Sequence, residues 1–229
     1  MYGVLSYEEI LRILSAEFSR VHDPHHRELF GITSKPTSVR MVGLLFSRPE
    51  SKLAKEEIIP GISYFHIRSG HHIHFFCAGY GGYGGQDKKE IIAVEKDGRL
   101  GYVFIPDRFN EIREKVESQC GWRYSGESDL ILANARYSTG GGVALELDKS
   151  IKCYLDKFKK IGAIDSVNEF FERIFRYAEN TKEDDPTWGF SDSMGVVTGG
   201  EGLLNVLLSL FPKNIGGELR RIGAFRVSS

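Results

Sequence analysis

Two short apolar runs constrain this chain more than any other feature: Met41-Val42-Gly43-Leu44-Leu45-Phe46 and Ile73-His74-Phe75-Phe76-Cys77-Ala78. A polar segment of helical character, Pro49 to about Ile67, lies between them. Strands that are apolar on both faces and joined by a helix predict a parallel βαβ unit with helices covering both sides of its sheet. The second run leads into a glycine-rich stretch, Gly79-Tyr80-Gly81-Gly82-Tyr83-Gly84-Gly85.

Composition narrows the class. The 229 residues suffice for one full core, and 41% hydrophobic with 27% charged residues is ordinary for a soluble globular protein. Lys+Arg 30 against Asp+Glu 31 gives a formal charge of −1, so no global basic bias points to nucleic acid or an anionic membrane. Apolar stretches such as Leu203 to Phe211 are too short to span a bilayer. Met1 to Ser6 lacks a basic region followed by an apolar core, so no signal peptide is expected. Cys77, Cys120 and Cys153 are widely spaced with no CxxC pair, which fits reduced thiols in a cytoplasmic protein.

In chain order, Ser6-Tyr7-Glu8-Glu9 is a capping box, followed by Ile10, Leu11, Ile13, Leu14 and Phe18 at helical spacing. The helix should end before Asp23-Pro24, and the polar stretch to Ser38 reads as a loop. Ser47-Arg48-Pro49-Glu50-Ser51 opens the next helix, and Pro60-Gly61 must kink or break it. Ile91 to Val94 and Leu100 to Ile105 flank Asp97-Gly98, a hairpin signal. Asp107 then caps a helix bearing Phe109, Ile112 and Val116. Leu130 to Ala133 and Val143 to Leu147 read as an antiparallel pair. Asp148 caps a short helix with Ile151, Leu155, Phe158 and Ile161 on one face. A second capping box at Ser166-Val167-Asn168-Glu169 opens a helix carrying Phe170, Phe171, Ile174, Phe175 and Ala178. The acidic segment from Asn180 to Pro186 marks a boundary, giving one α/β domain over 1–180 and an extension over 181–229 packed on it, with one helix around Leu203 to Phe211.

This order over Val39 to Glu179 resembles the thioredoxin-like layout: strand–helix–strand, then a helix, two strands and a final helix, with the 91–105 hairpin as an insertion. The expected fold is therefore α/β: a thioredoxin-like mixed sheet flanked by helices, with an N-terminal helix and a C-terminal helical extension. A proline interrupting the first core helix, as Pro60 does, fits the family. Where the family carries CxxC, this chain has Ser47-Arg48-Pro49-Glu50-Ser51, and Ser125-Gly126-Glu127-Ser128 stands where it carries a proline. The resemblance implies the scaffold without its dithiol chemistry.

Four places are candidates for function. His72 and His74 share one face of a strand and could present two imidazoles to a metal, with His66 and His71 close by; two strand-end histidines bonding backbone is the plainer reading. Gly79, Tyr80, Gly81, Gly82 and Tyr83 follow a core strand, where ligands sit in α/β sheets, and glycine amides could approach a small anion; neither a P-loop nor a dinucleotide fingerprint is completed, so a solvated loop competes. Cys77 lies in the most apolar strand, where a thiol is usually an inert core residue. Trp188 and Phe190 beside acidic residues could anchor a protein partner or fold back onto the core.

The leading expectation is a non-catalytic, redox-inactive interaction module without a cofactor, meeting a protein partner rather than membrane or nucleic acid. Its alternatives are a metal-assisted hydrolase using the His66–His74 cluster and a small anionic-ligand binder at the glycine-rich loop.

Overall fold

The computed structural model describes residues 5–29, 38–69, 73–82, 91–94, 101–138, 142–180, 211 and 225–227. Helix α1 (Tyr7–His22) starts as the capping box requires: Ser6 Oγ accepts the Glu9 N–H at 3.1 Å, and the Glu9 carboxylate accepts the Ser6 N–H at 2.7 Å. A short helix α2 (Pro24–Leu29) follows where the sequence predicts a loop. Pro24 is tolerated at a helix start, and the Asp23 carboxylate accepts the His25 N–H at 3.0 Å, so one more helical turn forms.

Strand β1 (Val39–Ser47) leads into a helical stretch whose second part is α3 (Ile59–Ser69). Pro60 does not break it. The missing N–H and crowding ring are absorbed in a π-helical turn over Ala54–Ile58. Strand β2 (Ile73–Cys77) then pairs parallel to β1, with Met41 opposite Ile73 and Leu45 opposite Cys77, closing the expected βαβ unit.

Part of the expected loop is a strand. β3 (Tyr80–Gly82), β4 (Ile91–Val94) and β5 (Gly101–Phe104) form a separate three-stranded antiparallel sheet in the order β3-β5-β4. The predicted 91–105 hairpin is present as β4 and β5, while its turn residues Asp97 and Gly98 lie outside the described residues. Helix α4 (Pro106–Gln119) follows, with Pro106 at its first position and Asp107 in its first turn rather than at its cap.

Strand β6 (Ser128–Tyr137) runs antiparallel to all nine residues of β1, and β7 (Val143–Leu145) pairs back onto β6. The short helix predicted from Asp148 divides into a 3₁₀ turn (Leu147–Lys149), strand β8 (Ile151–Tyr154) and helix α5 (Leu155–Lys160). Ile151, Leu155 and Phe158 do share one core, but Ile151 reaches it from a strand beside Cys153. An i, i+4 spacing across a strand–helix junction mimics a helix period. Helix α6 (Val167–Asn180) is opened by Ser166 Oγ, which accepts the Glu169 N–H at 3.0 Å. Strand β9 (Phe225–Val227) adds to β8, so the C-terminal segment contributes to the sheet itself. Phe211 packs its ring 5.2 Å from Phe158 and 5.6 Å from Phe170. The rest of 181–224, including Trp188, Phe190 and the Leu203 to Leu210 part of the predicted helix, lies outside the described residues.

The result is a mixed α/β fold with a mixed main sheet, order β2-β1-β6-β8-β9, flanked by helices. Every residue of β1 is buried, so its side chains divide between two cores. Met41 and Leu45 face α3 and α6 with Leu130, Leu132 and Phe171. Val42, Leu44 and Phe46 face α1 and α4 with Ile131, Phe18 and Phe109. Each fully buried side chain of this size contributes roughly 1.5–3 kcal/mol. The π-helical turn serves the first core: Glu57 accepts the Val167 N–H at the start of α6 at 2.5 Å and pairs with Lys159 at 2.7 Å. No helix among the described residues is long and apolar enough to cross a membrane.

Gly43 lets Phe75 lie across β1. A Cβ there would meet the Phe75 ring at 2.6 Å. Gly43→Ala is expected to cost about 1–3 kcal/mol, read as a melting temperature lower by several degrees. An unchanged melting temperature would mean that the ring moves away without loss of packing.

Candidate functional site

The chain turns sharply where β2 ends. Gly79 has φ +79°, and a Cβ there would lie 2.8 Å from both Phe104 Cε2 and Phe109 Cβ. Only glycine fits such a turn without strain. The Ala78 N–H donates to Leu45 O at 2.9 Å, extending the β1–β2 ladder, and the Ile105 N–H donates to Gly79 O at 2.8 Å. These two bonds fix the three-stranded sheet at the C-terminal ends of the parallel pair, a usual ligand position in α/β sheets.

A half-open cavity of about 60 Å³ lies in the angle so formed. Ile62, Phe65 and His66 of α3 make one wall, and Tyr80, Gly81 and Tyr102 another. Phe75 and Phe76 both line it although they project to opposite faces, so the cavity runs along the outer edge of β2. Leu5, Ile10 and Ile112 close the α1–α4 side. The volume is several times the ~10–15 Å³ that one water needs.

The polar groups here are few. Tyr102 and Ser63 share a hydroxyl–hydroxyl bond at 2.6 Å. Tyr80 is only 6% exposed, its ring 5.0 Å from Phe104, and its hydroxyl has no hydrogen-bond partner among the described residues. A buried hydroxyl without a partner is uncommon in folded proteins. Burial drives the Tyr80 phenol upward, pushes the Cys77 thiol up to about 12, and moves the His66 imidazole down. All three are uncharged at neutral pH.

The candidate residues of the sequence separate here. Tyr80 and Gly81 line the cavity, Gly79 makes the turn, and Tyr83 lies outside the described residues. Gly81 and Gly82 stand in register with Val103 and Tyr102 of β5, as members of a strand ladder rather than of an open anion-binding loop. His74 faces the other core, where its Nε2 is 3.4 Å from a guanidinium nitrogen of buried Arg40, itself 5.4 Å from the Phe18 ring centroid. A cation at that nitrogen would sit beside a fixed positive charge. His72 lies outside the described residues, and among those described no three of His, Cys, Asp and Glu gather in a metal-binding group. Ile62, Phe65 and Tyr102 escaped the sequence reading because they come from segments far apart in the chain; nothing local distinguishes them from core.

A second polar cluster sits at the start of β6. Asp129, 1% exposed, accepts the Trp122 Nε1–H at 3.1 Å, the Ser125 N–H at 2.9 Å and the Ser125 hydroxyl at 2.6 Å. Nearby, Ser47 and Ser128 share a hydroxyl bond at 2.7 Å, and Asp156 accepts the Ser128 N–H at 2.8 Å. These groups satisfy one another and tie the 122–128 connection to the sheet.

Burial pushes Asp129 up to about 6 from 3.8, against the pull of its three donors. The native state thus holds this proton more tightly than the unfolded chain. The stabilisation is full below the unfolded value and is lost as pH rises through about 6. Asp129→Asn is expected to remove a fall in stability on the order of 2–3 kcal/mol between pH 4 and 7, read from denaturant midpoints of both proteins; parallel pH profiles would contradict it. Comparison of the chain with protein-family models, curated proteins and solved structures finds no match, so the reading of the cleft rests on its own geometry.

Proposed function

We propose that the protein is a non-catalytic, redox-inactive binding module on a thioredoxin-like scaffold, and that it binds its ligand in the cleft beside β2. One observation carries this reading: a half-open, mainly apolar cavity, walled by Phe65, Phe75, Tyr80 and Tyr102, lies at the C-terminal ends of two parallel strands. Ligand pockets are typically concave and apolar, with a small number of polar groups that orient the occupant.

The element order β1, α3, β2, α4, β6, β8, α6 supports the scaffold. The turn Ser47-Arg48-Pro49-Glu50-Ser51 carries no cysteine where the family has its pair, and Ser51 Oγ accepts the Ala54 N–H at 3.1 Å as a helix cap. Redox inactivity is further supported by fully buried Cys153 and half-buried Cys77, whose apolar surroundings hold both as thiols, whereas the thiolate is the reactive form. A protein partner meeting Trp188 and Phe190, and a cytoplasmic location, remain proposals from the sequence.

Thiol labelling tests the redox part. Cys153, fully buried, should react with a maleimide at pH 7.5 about a hundredfold or more slower in the folded protein than after unfolding, and half-buried Cys77 should form no disulfide under mild oxidation; fast labelling of Cys153 or a disulfide at Cys77 would contradict it. Cavity filling tests the binding part. Cys77→Met should keep or raise the melting temperature while occupying the cleft. In a thermal-shift screen of small uncharged fragments, some should stabilise the wild type and leave this variant unmoved. No hits, or hits that shift both proteins equally, would overturn the assignment.

A further inference from the structure

One side chain in the wall of the cleft changes its charge not far from neutral pH. Resting on the binding reading above, we propose that His66 is the selectivity-determining residue of the cleft: an uncharged ligand binds to its neutral form, so that ligand and proton compete.

Position supports this role. His66 lies one helical turn beyond Ile62 on α3, next to Phe65, and lines the cavity with both. It is half-buried rather than enclosed, so a proton reaches it from solvent. An imidazole ordinarily titrates close to neutrality, unlike a thiol or a phenol.

The groups around it leave that titration to His66. Burial lowers its affinity for a proton, and the positive N-terminus of the chain acts in the same direction. From β2, the Cys77 thiol is pushed up to about 12. From β3, burial drives the Tyr80 phenol upward, and Cys77, Glu50 and Tyr124 add to that. The Tyr102 hydroxyl of β5 bonds Ser63 of α3 at 2.6 Å. Arg68, two residues on along α3, pairs with Glu172 of α6 at 3.0 Å. Leu5, Ile10 and Ile112 bring no charge from the α1–α4 side.

An apolar body entering the cleft displaces water from the side of the ring that faces it. That loss costs more for an imidazolium ion than for a neutral imidazole. Occupancy therefore lowers the affinity of His66 for its proton, and by linkage the proton lowers the affinity of the cleft by the same factor. Affinity is full above the value at which His66 titrates in the unliganded protein. It falls as pH drops through that value, and levels off once the occupied form is protonated as well.

Xenon is a suitable probe, since it enters small apolar cavities and has no titrating group of its own. Binding would be followed in the wild type and His66→Gln under xenon pressure, from the NMR shifts of the Ile10, Ile62 and Ile112 methyl groups at pH 7.5 and pH 5. The wild type should bind xenon about three- to tenfold more weakly at pH 5, which corresponds to a displacement of roughly half to one unit in the titration of His66. Its ring resonances should titrate at lower pH with xenon than without. His66→Gln keeps a polar side chain without the charge and should bind xenon equally at both pH values. Asp129 titrates in the same range but is no part of the wall, and it is common to both proteins. Equal wild-type affinity at the two pH values, an unmoved His66 titration, or a pH dependence that survives in His66→Gln would overturn this proposal and leave the binding reading standing. Xenon that shifts none of these methyl groups at either pH would sink the binding reading and this proposal with it.

Discussion

The structure depends on one strand being buried on both faces. β1 carries no polar side chain between Met41 and Phe46, and its alternation assigns Met41 and Leu45 to one core and Val42, Leu44 and Phe46 to the other. Two helical layers are therefore obligatory. Because β2 lies parallel to β1, the link between them must cross over one face, which α3 does, while α1 and α4 cover the opposite face. Gly43 is the point of closest fit, where Phe75 from β2 occupies the space a side chain would take.

The cleft follows from that arrangement. β2 is the edge strand of the main sheet, so both its phenylalanines reach a border that the helices on either side do not meet across. Gly79 then reverses the chain so that β3 and β5 stand over this border. The polar groups of the molecule behave differently elsewhere. Asp129 is enclosed by Trp122 and Ser125, and Glu172 is held at about 2: burial works against ionisation, but bonds from Tyr64, Arg176 and Arg68 outweigh it. The Tyr80 hydroxyl is enclosed as well, but it meets no hydrogen-bond partner among the described residues.

Much of the fold was legible from residues. The βαβ unit, the capping box of α1, the Ser166 cap of α6, the paired strands of the 91–105 hairpin and the buried face of α6 were written in local periodicity and turn chemistry. Two local errors have a shared cause: tertiary pairing overrode a local signal. Tyr80 to Gly82 read as a loop because glycines weaken strand propensity, yet β5 supplies a partner ladder. Ile151 read as helical because its spacing to Leu155 fits both periods. Pro60-Gly61 read as a kink or a break, and the helix takes the proline up in a π-helical turn instead of ending. The glycine-rich segment was singled out from the sequence, but the residues that complete the cleft come from α1, α3, α4 and β5, and their convergence has no signature along the chain.

The measurement that bears most directly on the cleft is a crystal structure of the protein soaked with a small uncharged fragment that stabilises the wild type but not Cys77→Met. Density for the fragment is expected among Phe65, Phe75 and Tyr102. A cleft filled by the protein's own side chains, or the fragment bound only at other sites, would contradict the assignment of this cleft as the binding site.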